Sequence, residues 1–284
     1  MTTKLTREFR FAWRGVPLPD ACPNSWAGWG NSLQPGVPLS LQLTVAGTVR
    51  QPSGYICNIK ALDDSLRTAV NRVAEQRGQP GPGSEATARH SNRHSSDDLS
   101  FDQLLRRIAA EVPAVFSNAG SELAGVRFLV LRMLLSPQLS LTFTWEEAGM
   151  LRLTQQFEFS AAHRLHCREL SPAENRATFG KCNNPNGHGH NYVVEVSVEV
   201  PGESASARPN WSLERFESTV KRLVIDRFDH QHLNEDVAEF RELNPSVENI
   251  ADVCFRLLES ELSPLRLVNV RVYETPKTWA DRGA

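Results

Sequence analysis

The sequence lacks any run of about 18 apolar residues, and Met1 to Arg14 has neither the apolar core nor the small-residue cleavage site of a secretory leader. A membrane-spanning chain and a secreted one are both set aside, and a cytoplasmic location is expected. There is no basic excess: Lys and Arg total 31 against 33 Asp and Glu, a net charge of -2, which excludes an electrostatic nucleic-acid binder. Small acidic or phosphorylated substrates remain open, because local charge counts for more than the total. Cysteine is scarce. Cys22, Cys57, Cys167, Cys182 and Cys254 are odd in number and irregular in spacing, so no disulfide framework is expected and a reducing compartment fits.

What is present is ordinary for a globular protein, with 40% hydrophobic and 23% charged residues over 284 positions, enough for two domains. Arg77 to Asp98 is rich in Gly, Pro, Ser and charge, and it reads as a flexible loop in which His90 and His94 are solvated rather than ligating. On either side of Ala148 the elements repeat in order. The first half shows strand-like Phe9 to Trp13 and Leu39 to Val49, helical Asp64 to Glu75 and Phe101 to Ala110, then strand-like Val126 to Leu135 and Leu139 to Trp145. The second shows strands at Phe157 to Ala161 and Val193 to Val200, helices at Leu213 to Val224, with Ser212 as N-cap, and Val247 to Leu258, and a closing strand from Leu267 to Tyr273. The expected domains are 1–148 and 149–284, each close to β-β-α-α-β-β, as a tandem duplication produces.

The halves differ in chemistry. Outside its loop the first half has no histidine; where FEFSAAH ends in His163, the matching FRFAWRG ends in Gly15. The first half is therefore expected to keep the fold without a metal site. In the second half, His188 and His190 stand two apart, so an extended strand turns both imidazoles to one face. His163 ends an alternating run that antiparallel pairing with Tyr192 to Val200 would bring alongside. Three histidines with an open fourth position describe a catalytic zinc; Cys182 as fourth ligand would instead close a structural site. The other cysteines with helical or loop settings, Cys167 and Cys254, read as packing residues, and Trp26, Trp29 and Trp145 as core or interface fillers.

Residues 157–192, including GKCNNPNGHGHNY, together with FDHQHLN (Phe228 to Asn234), SVENIAD (Ser246 to Asp252) and VRVYET (Val270 to Thr275), resemble the 6-pyruvoyltetrahydropterin synthase family and its relative, 6-carboxytetrahydropterin synthase of queuosine biosynthesis. The six-residue step from Cys182 to His188 is similar to the pyruvoyl type. The resemblance implies α+β tunnelling-fold units, each a four-stranded antiparallel sheet with two helices on one face. It also implies subunit-interface active sites and a homo-oligomer, here a trimer of tandem units. It further implies Zn2+ on His163, His188 and His190, and 7,8-dihydroneopterin triphosphate as the substrate. Cys182 is then the base, Asp229 and His230 its relay, and Glu274 the pterin anchor, with Glu248 and Ser246 beside the substrate. Ser246 and Val247 stand where the family often has threonines, and Val247 has no hydroxyl to donate. The implied reaction is loss of triphosphate to give a 6-substituted tetrahydropterin. The alternatives are the queuosine-type reaction, which also expels a two-carbon fragment, and a pterin-binding scaffold module with little activity.

Overall fold

The computed structural model describes residues 2–13, 15, 36–77, 99–118, 123–147, 149–202 and 211–284. His90, His94, Cys22, Trp26 and Trp29 lie outside the described residues. The chain divides into two compact units, Met1–Leu151 and Arg152–Ala284, so the boundary falls a few residues after the expected one. No described helix is long and apolar enough to cross a membrane.

In the first unit, β1 (Thr3–Trp13), β2 (Val37–Gly47), β3 (Arg127–Leu134) and β4 (Leu139–Thr144) form neighbours in that order, all antiparallel. Registers such as Phe9↔Leu41 and Leu43↔Leu131 put large apolar side chains opposite one another on one face. Helices α1 (Ile59–Arg77) and α2 (Phe101–Asn118) cover that face, burying Leu62, Leu66, Val70, Leu104 and Ile108 completely. Each such side chain contributes about 1.5–3 kcal/mol by leaving water. The other face carries Thr6, Glu8, Gln42, Thr44 and Arg132, joined by Thr6–Thr44 and Gln42–Glu8 hydrogen bonds. Helix α2 outruns the expected end at Ala110 by continuing through Pro113. Proline forfeits one backbone bond there, but the buried stripe of Ile108, Ala109, Val112, Val115 and Phe116 runs across it and outweighs the loss.

The second unit repeats the plan with additions. Strand β5 (Met150–His163) is followed by α3 (Pro172–Phe179), which the apolar pattern did not announce because its only buried residue is Asn175. A capping box holds it instead: Ser171 accepts from the Glu174 amide, the Glu174 carboxylate accepts from the Ser171 amide, and Pro172 opens the helix. A 3-10 turn (Gly180–Asn183) leads to β6 (His188–Val200). Helix α4 (Leu213–Val220), capped by Ser212, runs through a π-helical turn (Lys221–Ile225) into α5 (Asp226–Phe228). Two-residue β7 (Gln231–His232) pairs in parallel with Ala161 and Ala162 of β5, and α6 (Leu233–Asp236) follows. Helix α7 (Val247–Leu258) precedes β8 (Arg266–Thr275) and β9 (Thr278–Gly283). The sheet order is β5-β6-β8-β9. Strand β9 is the fourth strand that the repeated order implied but did not locate, since TWADRG has no apolar alternation; Arg271 on β8 clamps it through a forked ion pair to Asp281.

Cys254 is fully buried on α7, as read, and burial holds its thiol far above the usual range. Cys167 is different: it is only half-buried, and its thiol donates to the Glu169 carboxylate at 2.9 Å rather than packing in the core. Trp145 packs against Phe128 and Phe143 within the first unit.

Candidate metal centre

Strand pairing gathers the histidines. Thr154 meets Ser197, Gln156 donates to Glu195 and Ser160 meets Asn191, so steps forward on β5 are steps backward on β6. Carried to the strand end, this antiparallel register sets His163 against His188. His190 and Tyr192 follow on the same face as His188, because alternate residues of a strand point to one side. The β6–β8 register, Val193↔Tyr273, then brings Glu274 opposite Tyr192.

The result is a compact donor set. One ligand atom from each of His163, His188, His190 and Glu274 lies within 4.8 Å of all the others. His163 Nε2 is 3.1 Å from His188 Nε2 and 3.3 Å from Glu274 Oε1, and His190 Nε2 is 3.6 Å from that same oxygen. A tetrahedral ion with bonds of about 2.0–2.1 Å holds its ligands about 3.3–3.4 Å apart, so these separations suit a divalent metal.

The protonation pattern agrees. His163 is fully buried, and its Nδ1 donates to the Pro245 carbonyl at 2.8 Å, which leaves the Nε2 lone pair facing the other donors. Burial, and then the neighbouring imidazoles, push His163 down to about 4 against the raising effect of the Pro245 bond; His188 is also lowered, again mainly by burial. Both rings are therefore neutral at physiological pH, the form that binds metal. His190 Nε2 is buried without a hydrogen-bond partner, an atom that coordination would satisfy.

Glu274 stands close beside the imidazoles, carried in by β8 from 84 residues beyond His190, a distance at which no local spacing could have placed it there. Cys182 does not belong to the donor set. It sits on the 3-10 turn, with its carbonyl accepting from the Leu165 amide at 2.9 Å.

Asp229 and His230 are paired, but elsewhere. Asp229 Oδ1 accepts from the Ser160 amide and Oδ2 lies 2.8 Å from His230 Nδ1, contacts that hold the carboxyl below its usual range, the Ser160 bond most of all. His230 has φ 58, uncommon outside glycine, and its amide donates to Ser160. The imidazole is 83% exposed, and among the described residues no hydrogen bond links it to Cys182. It opens onto a cleft lined also by His190, Asn191 and His232.

Ser246 spends its hydroxyl as the N-cap of α7, accepting from the Asn249 amide, and Glu248 is exposed on the first turn of that helix. Neither enters the donor set. The contribution of this region that spacing did not reveal is the Pro245 carbonyl, a backbone group with no sequence signal. His232 was also unassigned; its Nε2 would lie 2.7 Å from a Cβ placed on Gly187, and the His163 carbonyl 3.0 Å from it. Gly187 itself has φ 69, where a side chain costs about 1–2 kcal/mol. Gly187→Ala is thus expected to lower stability by about 2 kcal/mol or more in urea denaturation, and to loosen metal retention through the adjoining His188. An unchanged midpoint would show that the close approach is not tight.

The family model described as 6-pyruvoyl tetrahydropterin synthase matches residues 152–283, leaving the first unit outside the match. A Caenorhabditis elegans protein assigned as a 6-pyruvoyl tetrahydrobiopterin synthase is 45% identical over 120 residues, 42% of this chain and 84% of that protein. The human 6-pyruvoyl tetrahydrobiopterin synthase is 37% identical over 124 residues, 44% of this chain and 85% of the human one. The solved structure of the Caenorhabditis elegans 6-pyruvoyl tetrahydropterin synthase superposes with a TM-score of 0.44 at 37% identity, covering 48% of this chain and 96% of that one.

Proposed function

The chain belongs to the 6-pyruvoyl tetrahydropterin synthase family through its second unit, and from that premise we propose that it is a zinc-dependent lyase. Its substrate in this reading is 7,8-dihydroneopterin triphosphate, converted to a 6-substituted tetrahydropterin with loss of triphosphate. The observation that carries the reading is the convergence of three imidazoles and one carboxylate at one end of the β5-β6-β8 sheet.

His163, His188 and His190 would hold the zinc, which as a Lewis acid favours negative charge on side-chain hydroxyl oxygens and so acidifies the neighbouring C–H bonds. The residues supply the rest. Cys182 takes the carbon-bound proton; a free thiol, with a pKa near 8.5, is mostly protonated at neutral pH and needs an acceptor of its own. His230 is that acceptor, with Asp229 fixing its ring. Because the pair is exposed and unbonded to the thiol of its own chain, the reading has it reach Cys182 of a neighbouring protomer in a homo-oligomer, a trimer of tandem units. Glu274 is assigned to the pterin, since its partners among the described residues are two imidazoles and a carboxylate can accept two hydrogen bonds from an amino-pyrimidinone edge. The first unit is assigned a scaffolding role without a metal.

The test is incubation of the zinc-loaded full chain with 7,8-dihydroneopterin triphosphate, following inorganic tripolyphosphate and product mass. Tripolyphosphate with a pyruvoyl-pterin mass is the expected result. A loaded sample that releases none would sink the proposal, and a product short by a two-carbon fragment would move it to the carboxy type.

A further inference from the structure

Ser160 spends all of its polar groups at one end of the sheet. Its amide donates to Asp229 Oδ1 at 2.8 Å, its carbonyl accepts from the His230 amide at 2.6 Å, and its hydroxyl donates to Asn191 Oδ1 at 2.7 Å. The first two bonds hold the Asp229–His230 pair, whose backbone takes φ 58 at His230. The third fixes a side chain that strands rarely carry, since asparagine is depleted in them. Further along the same face, cross-strand partners satisfy one another: Gln156 donates to Glu195, and Thr154 meets Ser197. At the Ser160–Asn191 rung the match is incomplete. The Asn191 carboxamide has a donating nitrogen besides its oxygen, and among the described residues nothing accepts from it. With the oxygen pinned by Ser160 the amide plane is set, so the nitrogen is a preoriented donor on a residue that lines the same cleft as His190, His230 and His232.

We infer that Asn191 is a substrate-contacting residue of this cleft, its carboxamide donating to an oxygen of the molecule on which His230 acts, with Ser160 as the residue that positions it. Because Ser160 binds Asn191 and the His230 pair within one chain, both meet the same ligand whichever protomer supplies the thiol. The ligand group is an oxygen acceptor, a hydroxyl or a phosphate, because an amide nitrogen only donates. The inference rests on the lyase reading for its substrate but not for its geometry.

Asn191→Asp is the discriminating variant, since it keeps an oxygen for Ser160 and replaces the donor by a second acceptor; Asn191→Ala stands beside it. In the full chain, with zinc content, oligomeric mass and melting temperature at the parent's level, kcat/KM for tripolyphosphate release is expected to fall about 10-fold in Asn191→Ala and about 100-fold in Asn191→Asp. Ser160→Ala is expected to lose activity alone and nothing further in the Asn191→Ala background, whereas a serine with a merely structural role would add its loss in full. Calorimetric titration of parent and Asn191→Asp with neopterin, which has the hydroxyls without phosphate, and with inorganic tripolyphosphate names the oxygen: the probe whose binding weakens at least about fivefold carries it. Parent-level kcat/KM in Asn191→Asp, or unchanged affinity for both probes, would overturn the inference, as would a changed oligomeric mass, which would give the carboxamide to a second copy of the chain instead. If the parent itself releases no tripolyphosphate, the lyase reading falls separately and the titrations decide alone: weakened binding of either probe supports the role of Asn191, and unchanged or undetectable binding removes it.

Discussion

Replacing His163 by alanine is expected to empty the metal centre, lowering zinc affinity by more than about 100-fold, because even the outer partners of a ligating histidine are worth about 10- to 100-fold. His163 is the hub of the donor set: its Nε2 lies within 3.3 Å of both His188 and Glu274, and its other nitrogen is anchored to Pro245. The substitution also leaves the buried Pro245 carbonyl without a donor, at a cost of about 1–3 kcal/mol. His188→Ala separates the two effects. His188 is only partly buried and its Nδ1 has no partner to lose, so its removal is expected to release the metal with little change in unfolding midpoint. Metal analysis after dialysis, alongside urea denaturation, reads both. Parent protein retaining about one zinc per chain is the expected baseline for a catalytic site of this kind. Two per chain would place a second ion outside this cluster and overturn the assignment of a metal-free first unit. Retention by His163→Ala would show that the imidazoles do not share an ion.

Cys182→Ala is expected to reduce turnover by about 10²- to 10⁴-fold, the range for loss of a general base, while leaving zinc in place. Geometry separates the two properties, since the sulfur is not among the clustered ligand atoms and contacts the site through its loop. Loss of metal together with activity would make the thiol a ligand and end its assignment as base; turnover within about tenfold of the parent would end it as well. The exposed Asp229–His230 pair adds a sharper form of the experiment. If it serves a neighbouring protomer, Cys182→Ala and His230→Ala proteins, each inactive alone, are expected to recover part of the activity when mixed and allowed to exchange subunits. A site complete within one chain has no such recovery.

Much of this was legible locally. The period of two in a strand puts His188, His190 and Tyr192 on one face, and the alternation ending at His163 identified the strand that pairs beside them. The β-β-α-α order of each unit followed from apolar spacing, since covering one sheet face with two helices is the economical way to bury it. Where the reading fell short, the cause was a force that apolar spacing does not report. Helix α3 is held by reciprocal capping, a signal that Ser171-Pro172-Ala173-Glu174 did carry and that could have found it. Helix α2 passes Pro113 because burial beyond it exceeds one lost hydrogen bond. Strand β9 depends on Arg271 and Asp281, which are ten residues apart and meet only across a formed hairpin.

Short spacings on their own pointed to two successive units of strands and helices and to the convergence of three histidines, because strand and helix periodicities are properties of neighbouring residues. Only the tertiary structure decided the approach of Glu274 to the imidazoles, the hydrogen bond from His163 to Pro245 and the exposure of the His230 ring beside Asp229. Glu274 meets His163 and Pro245 meets the same ring through contacts spanning more than eighty residues. Distances of that kind are fixed by which strands pair and in what register, and a linear pattern does not contain them until the sheet has closed.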